Sequence, residues 1–240
     1  MRRSADAPAA PGVREPDVPE RVVTAAFELF AADGYEATTV EAITHRAGVA
    51  RRTFFRYFRS KEDVIFPDHE ALLSEAVEAL SRLGEQAPVA AICEATTLVF
   101  EHYVSTPERS VERYQLTGSV PALRAREIAS VHAYHRAFTK YLTGRFTSGS
   151  MDPAVAALRA EVAAGAVIAA HNQVLREWLR RGGCGPSFDA LSEAFDYVIA
   201  TFERTGRKAP VRARERDAVV VVVKTSEPAE SVAERIRRLL

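Results

Sequence analysis

The stretch that decides the fold runs Thr38-Thr39-Val40-Glu41-Ala42-Ile43-Thr44-His45-Arg46-Ala47-Gly48-Val49-Ala50-Arg51-Arg52-Thr53-Phe54-Phe55-Arg56-Tyr57-Phe58. Thr38 and Glu41 have the spacing of a capping box, in which a hydroxyl and a carboxylate satisfy the free N–H groups of a helix start. The spacing predicts a short helix through about Ala47. Gly48-Val49 then makes a turn, and Arg51 to Phe58 reads as a further short helix. Ile43, Val49, Phe54 and Phe58 supply a shared core, and two short helices joined across a glycine make a helix-turn-helix. Arg51, Arg52 and Arg56 fall on its second member. From His45 to Lys61 no acid interrupts the cations.

Upstream, Asp17 and Glu20 are again spaced as a cap and its partner, with Pro19 tolerated in a first turn. Val23, Ala26, Phe27 and Phe30 recur on one face of the helix they open, and Gly34 closes it. Downstream the pattern stays helical. One helix is expected over 61–83, bent near Pro67, with Leu72, Leu73, Val77 and Leu80 as its buried stripe. Others are expected over 88–105, 107–117, 121–146, 153–181 and 188–204. No strand pattern precedes residue 210, so the core is all-α. The expected organisation is a flexible arm at 1–18, a helix-turn-helix domain at 19–60, a larger helical domain at 61–206 and an extension at 207–240. Arg2, Arg3 and Arg14 make the arm either a solvated tail or a strand that reaches a DNA groove. The extension carries a basic linker and the β-branched run Val219 to Val223; pairing across a dimer, covering a pocket and lying loose are all open to it.

The 240 residues are 47% hydrophobic and 27% charged, enough to bury a sizeable core. No stretch approaches 18 uninterrupted apolar residues, and Met1-Arg2-Arg3 leads into no apolar run, so neither a membrane span nor a secretory signal is expected. Cys93 and Cys184 stand far apart and make no metal or disulfide framework. A cytoplasmic protein is the expectation. Thirty-two basic residues offset thirty-two acidic ones. Zero net charge hides the local arginine run, however, and locality is what a phosphate backbone senses through a Debye length of roughly 8–10 Å.

Gly34-Tyr35, Thr38 to Ile43, Ala47 to Ala50, Thr53 to Phe58 and Ser60-Lys61-Glu62-Asp63 together resemble the DNA-binding domain of TetR-family regulators, over roughly residues 19–66. His171 to Gly183 further resembles an actinomycete subgroup that includes the mycofactocin-system regulators. The resemblance implies phosphate contacts from Thr39, Tyr57 and Lys61. It also implies a dimer on an inverted-repeat operator, released when a small apolar effector, acyl-CoA-like in the subgroup, moves the helix that begins at Lys61. Three positions depart from the family pattern. Ala50 replaces a capping serine or threonine, which forgoes about 1 kcal/mol. Phe55 replaces a tyrosine, and Arg52 a glycine. The major groove, about 12 Å wide, admits one helix, and guanidinium forks on Arg51 and Arg52 can read guanine O6 and N7. Phe55 is placed to touch a thymine methyl or a sugar, while Arg56 and Arg59 add unspecific attraction.

Doubling so small a contact by symmetry calls for a homodimer. Leu158, Val162 and Leu175, with Leu191, Phe195, Val198 and Phe202, suit a four-helix bundle across the axis; the other use of that stripe is the protomer's own core. His102, Tyr103, Tyr114, Tyr134, Phe138, His171, Asn172 and Trp178 are candidate ligand-pocket residues, with His135 beside them. No tight His/Cys/carboxylate triplet recurs, so neither a metal nor a cofactor is expected. Two rival readings remain: an all-α enzyme using His135 with Glu127 or His171 with Glu177, and a DNA binder without sequence preference. No phosphate loop or nucleophile motif supports the enzyme.

Overall fold

The computed structural model describes residues 17–66, 69–84, 86–149, 151–185 and 187–203, which lie in a compact unit spanning 1–204. The expectations for residues 1–16 and 207–240 fall outside the described residues. Among these, ten helices follow one another and no strand occurs. They are α1 (Val18–Asp33), α2 (Val40–Ala47), α3 (Arg51–Tyr57), α4 (Lys61–Ile65), α5 (His69–Arg82), α6 (Pro88–Ser105), α7 (Pro107–Ser119), α8 (Pro121–Ser148), α9 (Pro153–Arg180) and α10 (Phe188–Glu203). The fold is all-α, as the patterning predicts.

Helix starts follow their caps. Asp17 accepts the Glu20 N–H at 3.0 Å and opens α1. At α2 the cap is Thr39 and not Thr38: Thr39 Oγ1 accepts the Ala42 N–H at 3.1 Å, while the Thr38 hydroxyl donates back to the Gly34 carbonyl at 2.8 Å. Pro88, Pro107, Pro121 and Pro153 each stand in a first turn, where a missing N–H costs nothing.

The single helix expected over 61–83 is two. Helix α4 ends at Ile65, Phe66 takes φ −126°, ψ 52°, and α5 begins at His69. The cause is Pro67, whose ring disfavours helical geometry in the residue before it.

Two hydrophobic cores result. One gathers Val22, Ala26, Phe27, Phe30, Ile43, Phe54, Phe58, Val64, Ile65 and Phe66, together with Val120 and Leu123. It therefore does not stop at residue 60: the break after α4 turns Phe66 inward, and the α7–α8 junction inserts Leu123, which is fully buried. The other core joins α5, α6, α8, α9 and α10 around Ile92, Phe100, Phe138, Leu142, Val167 and Trp178. By length and composition alone α9 is apolar enough to cross a membrane, with mean hydropathy 1.5 over 18 residues, although Arg159 and Glu161 interrupt its apolar run. Its hydropathy comes largely from small residues, and Ala156, Ala160, Ala163 and Ala164 are buried against neighbouring helices.

Gly48 sits at φ 64° in the turn between α2 and α3, where Arg21 reaches across from α1 to donate to the carbonyls of Ala47 and Gly48 at 2.5 and 3.1 Å. A Cβ there would lie 3.1 Å from the same guanidinium. Gly48→Ala is expected to lower the free energy of unfolding by about 1–2 kcal/mol in urea titration, through left-handed strain and displacement of Arg21.

Candidate DNA-contacting helix and ligand cavity

Helix α3 is amphipathic over its seven residues. Phe54 is fully buried and Phe58 is 4% exposed, whereas Phe55 and Tyr57 are 46% exposed. The face that carries Arg51, Arg52, Phe55 and Arg56 is thus open to solvent. Arg51 pairs with Glu41 of α2 at 2.6 Å and lies 5.5 Å above the Phe55 ring. Arg56 stacks on the Tyr57 ring at 4.7 Å and donates to its hydroxyl at 2.9 Å. Arg52 has no partner among the described residues. Ala50 makes no side-chain capping bond, as its methyl dictates.

The residues named for phosphate divide. Thr39 is exposed, and with its oxygen accepting from Ala42 its hydroxyl proton is left to donate outward. Lys61 is otherwise occupied. Its Nζ donates to the carbonyls of Tyr35 and Thr38 at 2.8 and 3.2 Å and rests 4.1 Å from the Tyr35 ring centroid. It clamps the loop between α1 and α2, so its first duty is to hold Thr39 in place. Tyr35 in turn donates to Glu62 Oε1 at 2.6 Å, which fixes α4 to the same loop.

The second core contains a cavity of about 70 Å³ between α5, α6, α8 and α9. Tyr103, Tyr134, Phe138, His171 and Asn172 line it as expected. Tyr114 instead lines an adjoining groove of about 380 Å³, which shares Glu127, Val131, Asn172 and Leu175 with the cavity and adds His132 and Arg176. His102 borders a separate groove beside Asp17 and Arg109, with its ring edge-on to Tyr103 from outside. Trp178 is core; it packs where Gly183, at φ 75°, leaves no room for a side chain. The sequence reading missed His69, Thr96, Val99, Ser130 and Ile168 as lining residues. For Ser130 and Ile168 the signal was a stripe: Glu127, Ser130, Val131, Tyr134 and Phe138 on α8, and Ile168, His171, Asn172 and Leu175 on α9, each repeat at helical spacing.

Burial sets the protonation of the cavity. It pushes His69 down to about 3, helped by the nearby charges of Arg113, Arg126 and His102. His69 Nε2 lies 3.2 Å from the Tyr103 hydroxyl, and its ring packs on Phe66 at 4.6 Å. Burial likewise pushes His171 down to about 4, against the bond to Asn172. Desolvation raises the Glu127 carboxyl at the mouth, opposed by Arg176 and Arg124. One residue earlier on α8, Arg126 pairs with Asp63 of α4, which also accepts the Arg59 backbone N–H at 2.8 Å.

The pairs considered for acid–base catalysis do not form. His135 lies 3.7 Å from Glu161, His171 bonds Asn172, and Glu177 pairs with Arg180 and Arg181.

The stripe named for a dimer also splits. Leu158 is 68% exposed, and Val155 and Val162 are more than half exposed, with Tyr197 of α10 at 76%. Leu175, Leu191, Phe195 and Val198 are buried in the protomer's own core and Phe202 packs partly against it, because α10 turns that face toward α6 and α9. Leu175, Leu191, Phe195 and Val198 therefore present little surface to a second copy, while Phe202 keeps part of its own.

A helix-turn-helix with an open arginine face, backed by a helical ligand-binding domain, defines a DNA-binding transcription regulator. Residues 22–67 match the family model of TetR-family bacterial regulatory proteins, and residues 86–203 match that of the MftR C-terminal domain. The chain belongs to the TetR family. Over 194 residues it is 27% identical to the mycofactocin biosynthesis transcriptional regulator MftR of Mycobacterium tuberculosis, covering 80% of this chain and 95% of that one. Its fold is similar to that of a TetR-family regulator from Syntrophomonas wolfei, with TM-score 0.56, 16% identity and coverage of 78% and 95% of the two chains. It is also similar to FadR of Bacillus subtilis in complex with stearoyl-CoA, with TM-score 0.52, 19% identity and coverage of 75% and 97%.

His69 and His171 lie below the usual imidazole value of 6.5, so the unfolded chain binds more protons than the folded one in acid. Their stabilising share is complete above 6.5 and is lost as the pH falls from there toward about 4 for His171 and about 3 for His69. Between pH 7 and about pH 5, His171→Gln is expected to lose about 1–2 kcal/mol less stability than the parent protein, read by urea titration at the two pH values.

Proposed function

We propose that this regulator is a repressor which binds an inverted-repeat operator as a homodimer and is released by a small effector with an apolar body. The observation that carries the reading is Arg52, exposed and without a partner among the described residues, on the open face of α3 whose opposite face, Phe54 and Phe58, is sealed in the core. A guanidinium held on a rigid helix and free of protein partners is poised to fork onto a guanine edge. Arg51 would exchange Glu41 for DNA, while Arg56, Tyr57 and Thr39 meet the backbone and Phe55 a methyl or sugar. Lys61 acts by holding the loop that presents Thr39.

The exposed stripe of Val155, Leu158 and Val162 on α9, with Tyr197 exposed on α10, supports a dimer built on these two helices. Scattered apolar side chains need no explanation, but a contiguous stripe of them on the longest helices marks an interface.

Release would run through two joints. Phe66 belongs to the DNA-binding core and its stacking partner His69 to the cavity. On α8, Leu123 belongs to the DNA-binding core, Arg126 pairs with Asp63, and Glu127 lines the cavity mouth. An effector that favours a different setting of α5 or α8 therefore alters the placement of α3, by as much as its affinities for the two settings differ. The cavity is far smaller than the roughly 300–1,000 Å³ of sites for drug-sized ligands. A chain as long as the stearoyl group bound by Bacillus subtilis FadR would have to part α8 from α9 along the adjoining groove.

Selection of bound fragments from random duplex DNA is expected to return an inverted repeat. With Arg52→Ala the same selection should lose preference at one position in each half-site, worth about 1–3 kcal/mol, and keep its overall salt dependence. A uniform drop across sequences would mean that Arg52 only attracts phosphate. Leu158→Glu is expected to convert the dimer to a monomer in sedimentation and to weaken operator binding by at least about tenfold. An unchanged dimer would move the interface elsewhere.

A further inference from the structure

The imidazole of His171 is 6% exposed and lines the cavity. Its Nδ1 lies 3.1 Å from Asn172 Oδ1. An amide oxygen only accepts, so Nδ1 carries the ring proton. Burial keeps the ring neutral, which leaves Nε2 a bare lone pair. That atom is buried and has no hydrogen-bond partner among the described residues. Phe100 meets the ring edge-on at 5.8 Å and offers it no donor. A packed core gains nothing from such an acceptor, since a leucine or phenylalanine would fill the space without stranding a polar atom.

The other walls decide what can satisfy it. Leu72, Val99, Phe138 and Ile168 make the inner surface apolar, which disfavours a full charge at that depth. A carboxylate brings only acceptors, so it would set oxygen lone pairs against that of Nε2. The charged side chain that lines the cavity is itself an acid, Glu127. The hydroxyls of Ser130 and Tyr134 also line it and can donate to an oxygen that enters. A group that donates once and accepts as well is an alcohol or a phenol.

We infer that His171 Nε2 is the acceptor of an effector subsite, and that the effector is an uncharged, largely apolar molecule whose hydroxyl group enters the cavity and donates to it. This rests on the effector-regulated reading above and deepens it. Asn172 is a positioning residue, which holds the ring proton on Nδ1 and so keeps Nε2 able to accept. The rest of the molecule extends past Glu127 and Leu175 into the adjoining groove, where Tyr114, Ile128 and Leu179 offer further apolar surface.

The test uses the full-length protein without DNA, so a failure here is separate from a failure of operator recognition. Hexanol and its isomer methyl pentyl ether contain the same atoms and differ in the donor; hexanoate supplies the acid. Calorimetric titration is expected to show hexanol binding at least about tenfold tighter than either. His171→Leu should erase the preference for hexanol over the ether. His171→Gln, whose amide oxygen can stand where Nε2 stood, should keep most of it. Thermal unfolding of both variants distinguishes a lost subsite from a lost fold: a folded His171→Leu protein that still prefers hexanol overturns the proposal. Equal binding of the isomers, tighter binding of hexanoate, or no binding of hexanol also overturns it.

Discussion

The structure depends on one helix serving two cores. Near its start α8 seals Leu123 among the helices that carry the open arginine face, and further on the same rod lines the cavity with Ser130, Tyr134 and Phe138. A continuous helix transmits displacement because its hydrogen-bond ladder resists bending unless a proline or bulge interrupts it. Between the two ends, Arg126 fastens it to Asp63 of α4. The ligand-binding and DNA-binding parts therefore share a structural member, and no long linker has to be ordered for one to influence the other. The stacking of Phe66 at the end of α4 on His69 at the start of α5 makes a second contact between the two cores.

The open face of α3 is organised before any DNA arrives. Arg56 is stacked on Tyr57, Arg51 is held between Glu41 and Phe55, and the loop bearing Thr39 is clamped by the Lys61 ammonium. The arginine contacts are exposed and individually weak, since solvent and salt screen them, whereas the Lys61 bonds are partly buried. Their effect is on geometry: long side chains with few remaining rotamers lose less entropy on docking.

Much of this was legible in the residues, and the failures have physical causes. Helix starts could be placed because prolines and capping side chains act locally. The cap at α2 was misplaced by one residue because Thr38 and Thr39 are chemically equal, and only the neighbouring Gly34 carbonyl decides which hydroxyl turns back. The break after Ile65 needed Pro67 to be weighed as a terminator, whereas proline is also compatible with a mere bend. Leu191, Phe195 and Val198 were assigned to a partner because periodicity finds the apolar face of a helix without saying what covers it. The cavity was half visible: aromatic and imidazole side chains draw attention, but Thr96, Ser130 and Ile168 take their place from how α6, α8 and α9 pack. His69 could not have been placed while the helix through it was thought continuous.

The brevity of α3 sets a limit on information. Seven residues rise about 10 Å, the length of roughly three stacked base pairs, so one copy distinguishes on the order of sixty-four sequences. The proposed symmetric pair would raise that to the order of four thousand, still short of the million or more competing positions in a chromosome. On that reading the deficit would be met by what the duplex itself contributes: the stiffness and groove width of the bases between and around the two contacts.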